Sequence, residues 1–205
     1  VRQWQSPDLA QRLPLAAVVV SLHNYADHIT EALQSVSAQT QQRLELIVVD
    51  DASTDDGTAV VERWIDACLR AGGHPFVRVL LLRHCRNAGL AAARNTALAH
   101  SKASWCFVLD ADNALFPDAV AGCLALVDPG DPQLAVVHPL LVVEAEPGRP
   151  DDRRALVSSA SWQRERLLQG NVVDAMALIR RSAWARVGGY THIEGGWEDY
   201  DFWCK

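Results

Sequence analysis

The sequence predicts an α/β fold, a single domain with a mostly parallel central sheet flanked by helices. Three observations point there. Apolar, β-rich runs alternate with stretches whose apolar residues recur at helical spacing. Aspartate or asparagine stands just beyond several of those runs. The chain of 205 residues is 49% hydrophobic, enough to bury one substantial core without staples.

Taken in order, residues 15–22 form the first apolar strand, and Ile29, Leu33 and Val36 then fall on one face of a helix. Residues 44–49 make the second strand. Ser53 or Thr54 is expected to cap a helix over about 55–69, which Gly72-Gly73 ends. Residues 77–82 are the third strand, the Ala-rich stretch 90–99 a helix by propensity, and 105–109 a fourth, buried strand. Pro117 opens a helix running to about 127, and 134–143 read as a further strand. The mixture of charge, proline and glycine over 144–154 reads as an exposed loop.

The formal charge of -6 and pI near 5.6 argue against a nonspecific phosphate-backbone binder, so no nucleic-acid partner is expected. Cys68, Cys85, Cys106, Cys123 and Cys204 are scattered and make no C-x-x-C pair, which suits a reduced, cytoplasmic chain. No uninterrupted apolar run approaches the roughly 18 residues of a membrane span. Peripheral attachment at the inner face of a membrane stays open.

The run Cys106-Phe107-Val108-Leu109-Asp110-Ala111-Asp112-Asn113 delivers two carboxylates to the end of a strand. Side chains two apart share a face, so Asp110 and Asp112 can converge. Hard oxygen ligands at a sheet mouth suit Mg²⁺ or Mn²⁺, ions that keep positions for substrate phosphates. Turns also use aspartate for local hydrogen bonds, so the pair is weak alone. Its company strengthens it: Asp50-Asp51 follows the second strand and Asn87 the third. Open parallel sheets bind ligands beyond the carboxyl ends of their strands.

The ordered motifs are Val49-Asp50-Asp51-Ala52-Ser53-Thr54-Asp55, Asn87-Ala88-Gly89 with Ala93-Arg94-Asn95, Asp110-Ala111-Asp112-Asn113, and Trp197-Glu198-Asp199-Tyr200-Asp201. With Val20-Ser21-Leu22-His23-Asn24-Tyr25 and Arg186-Val187-Gly188-Gly189-Tyr190, the chain resembles the family 2 glycosyltransferases over about residues 15–204. Leu22 and His23 depart mildly from the family's usual pattern. The resemblance implies a GT-A (Rossmann-like) fold, a nucleotide-sugar donor with a UDP-sugar favoured, a divalent metal, and inversion at the anomeric carbon. It divides the chain into an N-terminal extension (1–14), a nucleotide-sugar-binding half (15–113) and an acceptor-side half (114–205). Acceptor-side structure, and a further metal or phosphate ligand, are expected beyond Lys205.

On matching positions the resemblance assigns Asp51 or Asp50 to the nucleotide base, and Tyr25 and Arg94 to the donor pocket. Asp110 goes to the ribose and metal, and Asp112 to the metal. Asp199 is the base, Glu198 orients the acceptor or helps fix Asp199, and Asp201 is a weaker candidate for either task. Inversion in one step needs one carboxylate to take the acceptor hydroxyl's proton while a metal-bound diphosphate leaves from the opposite face. No second acid is required, unlike glycoside hydrolysis. Trp197 is the candidate acceptor contact and Trp203 a core residue. Asn171 and Asp174 are candidates to reach the acceptor or donor sugar. His84 and His138 lack metal-ligand spacing.

The function read is therefore transfer of a sugar to a hydroxyl on a glycan, lipid-linked or small-molecule acceptor. A nucleotidyltransferase is the enzymatic alternative, but the glycine-rich basic loop it needs is absent from residues 21–25. A non-catalytic nucleotide-sugar-binding domain is the other, although Asp112 and Asp199 retain the acids that catalysis requires. No G-x-G-x-x-G follows the first strand, against a dehydrogenase. The Q-x-x-R-W signature of processive synthases is also absent.

Overall fold

The structure, a computed structural model, describes residues 1–7, 13–143 and 155–205. The loop read at 144–154 lies outside the described residues. The chain runs β1 (Arg2–Gln5), β2 (Ala16–Leu22), α1 (Ile29–Ser37), β3 (Leu44–Asp50), α2 (Gly57–Ala71), β4 (Phe76–Arg83), α3 (Leu90–His100), β5 (Trp105–Asp110) and α4 (Ala119–Ala125). It continues through β6 (Val136–Val137), β7 (Leu141–Val143), β8 (Ala155–Val157), α5 (Arg164–Leu167), β9 (Leu178–Arg180), α6 (Arg181–Arg186) and α7 (Glu198–Cys204).

The described strands form a seven-stranded sheet ordered β1-β4-β3-β2-β5-β9-β6 and a two-stranded β7-β8 pair. The centre, β4-β3-β2-β5, is parallel, while β1, β9 and β6 join antiparallel. The α/β class with a mostly parallel sheet flanked by helices is thus observed.

Side-chain alternation sends the strands' apolar residues into two cores. Val18, Val20, Leu46 and Val48 pack with Ile29 and Leu33 of α1 and Val61 and Ile65 of α2. Val19, Ile47, Val49 and Val108 pack on the other face with Ala93, Ala97 and Leu98 of α3. Both faces are covered, so the strands read as continuous apolar runs. Each fully buried Val, Leu or Ile contributes roughly 1.5–3 kcal/mol. Phe202 of α7 enters the second core and stacks on Tyr190 with ring centroids 4.4 Å apart. The helices bearing Arg94 and Asp199 therefore cover the same face of the sheet.

Several boundaries differ from expectation. Ser53 and Thr54 do not cap α2, which starts at Gly57. Ser53 Oγ accepts the Asn24 N–H at 3.0 Å, the Thr54 N–H donates to Asn24 Oδ1 at 2.8 Å, and Asp55 Oδ1 accepts the Gly57 N–H at 2.9 Å. Gly72, at φ +70°, ends the helix as read. The single strand expected over 134–143 is two, in different sheets, broken around Pro139, which has no N–H to continue a ladder. Pro117 precedes α4 instead of lying in its first turn. The expected N-terminal extension supplies β1, whose Arg2 pairs in register with Leu81 of β4.

Candidate active site at the carboxyl edge of the sheet

The chain proceeds from β2 through β3 to β4 on one side, while β5 lies on the other side of β2. That reversal opens a crevice beyond the strand ends. Asp110 ends β5 there, in register with Ser21 of β2. Asp112 follows in the turn, exposed, its Oδ1 accepting from the Asn113 side chain at 3.1 Å. A cavity of about 620 Å³ opens beside them, lined by Asp110, Asp112, Asn113 and Asp174 with the apolar Phe107 and Met176. Tyr25 reaches the same carboxylates: the Asp112 charge, and then burial, push its phenol up from its ordinary value.

Arg94 joins the two halves of the site. Its side chain is only 2% exposed, with Nη2 donating to Asp110 Oδ1 at 2.9 Å and Nη1 to Glu198 Oε1 at 3.1 Å. The guanidinium carbon also sits 5.5 Å from the Tyr190 ring centroid. Burial opposes its charge, but Asp110, Tyr190 and Glu198 outweigh that and hold the cation more firmly than usual. Arg94 is thus a buried bridge between carboxylates.

Glu198, Asp199 and Asp201 lie in the first turn of α7, where the helix N-terminus favours negative charge. Asn171 Nδ2 donates to Asp199 Oδ2 at 2.8 Å. Asp174 lines the cavity with Asp110 and feels the charge of Asp199, and its Oδ1 accepts the Met176 N–H at 2.9 Å. Burial, then the charges of Asp110 and Asp199, push the Asp174 carboxyl above its ordinary range. Trp197, before the helix, is 54% exposed with its ring edge-on to Tyr200. Trp203 instead donates from Nε1 to Val173 O at 3.0 Å and packs on Phe202.

At the far end, Asp50 is wholly buried. Its Oδ1 accepts the Ser53 N–H at 2.8 Å, and its Oδ2 meets the Thr58 hydroxyl and Arg83 Nε, the latter at 3.2 Å. Burial pushes its carboxyl up, yet Ser53, Thr58 and Arg83 win and hold it below the usual range. Asp51 Oδ1 accepts from His84 Nδ1 at 2.6 Å and the Ala88 N–H at 2.9 Å, and Oδ2 accepts the Gly89 N–H at 2.7 Å. His84 is satisfied on its other nitrogen by the Thr96 hydroxyl at 2.9 Å. His23, a departure from the family's pattern, sits on this rim: Nδ1 donates to the Asp51 carbonyl at 2.9 Å and Nε2 accepts from Asn87 Nδ2 at 3.0 Å. The loop after β3 turns through Ala52 at φ +57°, a left-handed conformation that non-glycine residues seldom adopt outside functional turns.

The acids at the ends of β3 and β5 lie in a stretch that matches an established family: residues 17–188 match Glycosyl transferase family 2, a span that ends before α7. The chain belongs to this family. Among curated relatives, a succinoglycan biosynthesis protein, ExoO of Rhizobium meliloti (strain 1021), is 32% identical over 131 residues, covering 64% of this chain and 35% of that protein. A chondroitin synthase of Escherichia coli is 28% identical over 200 residues, covering 95% of this chain and 27% of that protein. Among solved structures, the mannosyltransferase PcManGT of Pyrobaculum calidifontis, in complex with GDP-Man and Mn²⁺, superposes with a TM-score of 0.65 at 25% identity. That likeness covers 97% of this chain and 53% of PcManGT. S. aureus TarS 1-349 in complex with UDP-GlcNAc shares the fold, with a TM-score of 0.62 at 17% identity over 91% of this chain and 51% of that one. The chain thus spans about a third or less of these curated relatives and about half of these solved ones.

The GT-A-like fold and family membership agree with the sequence reading. Sequence reasoning left two contributors unassigned. Asn95 Oδ1 accepts from Trp184 Nε1 at 2.9 Å and the Tyr190 N–H at 2.8 Å, and its Nδ2 donates to Tyr190 O at 2.8 Å. Tyr190 in turn packs beside Arg94. The Asn95 position was visible beside Arg94 in its motif, but its partners lie about 90 residues away. Asn171 was read as a candidate to reach the acceptor or donor sugar, and its Nδ2 donates to Asp199 Oδ2. Among the described residues no helix is long and apolar enough to cross a membrane.

Proposed function

We propose that the chain carries the catalytic machinery of an inverting, metal-dependent glycosyltransferase. It moves a sugar from a nucleotide-diphosphate donor to a hydroxyl on a glycan, lipid-linked or small-molecule acceptor. The observation that supports this reading is the Arg94 bridge, which ties Asp110 at the end of β5 to Glu198, the neighbour of Asp199 in the first turn of α7. The donor half is 15–113 and the acceptor half 114–205.

The donor set fits a hard divalent ion, Mg²⁺ or Mn²⁺. Asp112 is exposed, and Arg94 takes only Oδ1 of Asp110, so both keep carboxylate oxygen for a cation. Among the described residues no three His, Cys, Asp or Glu side chains group as a metal cage, so the reading requires phosphate oxygens and water to complete the ion's shell. When bound, such an ion would neutralise charge on the departing diphosphate.

Asp199 accepts the acceptor's hydroxyl proton as that oxygen bonds to the anomeric carbon. The bond from that carbon to the phosphate oxygen breaks on the opposite face, and the electron pair leaves with the nucleoside diphosphate. Glu198, held by Arg94, fixes the first turn of α7, and Trp197 offers an exposed aromatic face to the acceptor sugar. Tyr25 stands beside Asp112 on the donor side. Both acids after β3 are buried, and Asp51 is the better nucleobase partner, because its Oδ2 receives one N–H and retains a lone pair whereas Asp50 Oδ2 already meets Thr58 and Arg83. A UDP-sugar remains the favoured donor.

The test is a screen of UDP- and GDP-sugars for binding and turnover with and without Mn²⁺, reading release of nucleoside diphosphate. Metal-dependent turnover with retained product stereochemistry, or metal-independent binding alone, overturns the proposal. Attachment at the inner face of a membrane is a further part of the reading, tested by vesicle co-sedimentation.

A further inference from the structure

We infer that Asn171 is a positioning residue that selects which oxygen of Asp199 receives the acceptor proton, an inference that rests on reading Asp199 as the base. The Asn171 amide does two things at once. Oδ1 accepts the Val173 N–H at 3.3 Å, closing a local turn, and this aims Nδ2 at Asp199 Oδ2, 2.8 Å away. One donor already engages Oδ2, so Oδ1 keeps both lone pairs and is the more basic oxygen for an incoming hydroxyl.

The loop is built to hold that geometry. The Asp174 N–H donates to Ser158 Oγ at 2.8 Å, Asp174 Oδ1 accepts the Met176 N–H at 2.9 Å, and Trp203 Nε1 donates to Val173 O at 3.0 Å. Trp203 and Asp199 both belong to α7, so the loop grips that helix at two points one turn apart. Only a side chain with both an acceptor and a donor can close the turn and hold the carboxylate. Aspartate closes the turn and repels Asp199, and serine closes it without the reach.

This contrast separates positioning from mere structure. Asn171→Ser keeps the turn, so its Tm should stay close to that of the unaltered protein, whereas Asn171→Asp keeps the turn but sets two carboxylates together and should lower Tm. With UDP-GlcNAc and GDP-Man as donor probes and Mn²⁺ present, donor Kd and donor KM should stay within about twofold. The kcat should fall roughly ten- to a hundredfold, more for Asp than for Ser. The double variant Asn171→Asp with Asp199→Asn reverses donor and acceptor, and should recover any Tm lost by Asn171→Asp while remaining inactive. Unchanged kcat in Asn171→Asp, a kcat loss that only follows Tm, or no Tm recovery in the double variant overturns the inference. Asp199→Asn alone identifies which claim failed: if it still transfers, the base assignment is wrong and this inference falls with it. If it is inactive while Asn171→Asp is fully active, only the positioning role is wrong.

Discussion

The Arg94 guanidinium donates to Glu198 at 3.1 Å across 104 positions of sequence, tying α3 to the first turn of α7. The same cation holds Asp110 at the end of β5. One buried charge therefore ties the carboxylate at the end of β5 to the helix that carries the proposed base.

Removing that charge leaves two carboxylates without their partner. Arg94→Met should cost about 3–5 kcal/mol of stability, because an uncompensated buried charge is worse than none. Urea denaturation measures it. Arg94→Lys should restore only part, since an ammonium cannot reach both acids as the planar guanidinium does. Equal stability of Arg94→Met and the unaltered protein would refute the bridge.

Asp199→Asn should leave nucleotide affinity intact and reduce transfer by at least about 100-fold, the share of a positioned general base. Calorimetry with the nucleoside diphosphate and a turnover assay read the two quantities separately.

Asp112→Ala should do the reverse at the binding step, weakening nucleotide affinity in Mn²⁺ while leaving the metal-free affinity alone. If Asp112→Ala and Asp199→Asn lose affinity equally, the proposed division of labour is wrong.

Asp174 gives a pH dependence with a definite sign. Burial, then Asp110 and Asp199, raise its carboxyl in the folded protein above the ordinary 3.8. The folded state then holds this proton more tightly than the unfolded chain. Its contribution to stability is complete below 3.8 and is lost as pH rises through the raised value. In metal-free protein, Asp174→Asn should therefore raise Tm at pH 7 and flatten the decline above pH 4. A Tm profile parallel to that of the unaltered protein refutes this.

Two adjacent glycines make a controlled pair. A Cβ on Gly189, at φ +77°, would lie 2.6 Å from Asn95 Oδ1 and 2.9 Å from Trp184 Nε1. One on Gly188, at φ +81°, would meet nothing within 4 Å. Gly188→Ala should cost only the backbone strain, about 1 kcal/mol, and Gly189→Ala about 1–3 kcal/mol more. Thermal unfolding of both variants checks the difference.

The alternation of apolar runs with helical spacing was enough to read β2, α1, β3, β4, α3 and β5, because each is a local pattern that one face of a covered sheet demands. The acids at the strand ends were legible because a parallel sheet sets the ends of its strands along one edge, although Asp112 follows β5 in the turn and is not carried by the strand's period. Local pattern misplaced the cap of α2, because Ser53 and Thr54 are claimed by Asn24, about 30 residues earlier. It also merged β6 with β7, whose separation depends on which sheet each strand finds.

Chain order alone therefore identified the residue types and the edge where they gather. Folding chose their partners. Arg94 could be an exposed helix residue until β5 and α7 close on it, and the bond from Asn171 to Asp199 forms only when α7 arrives. Such pairings join side chains far apart in sequence, and a local periodicity carries no record of what arrives from the other side of a sheet.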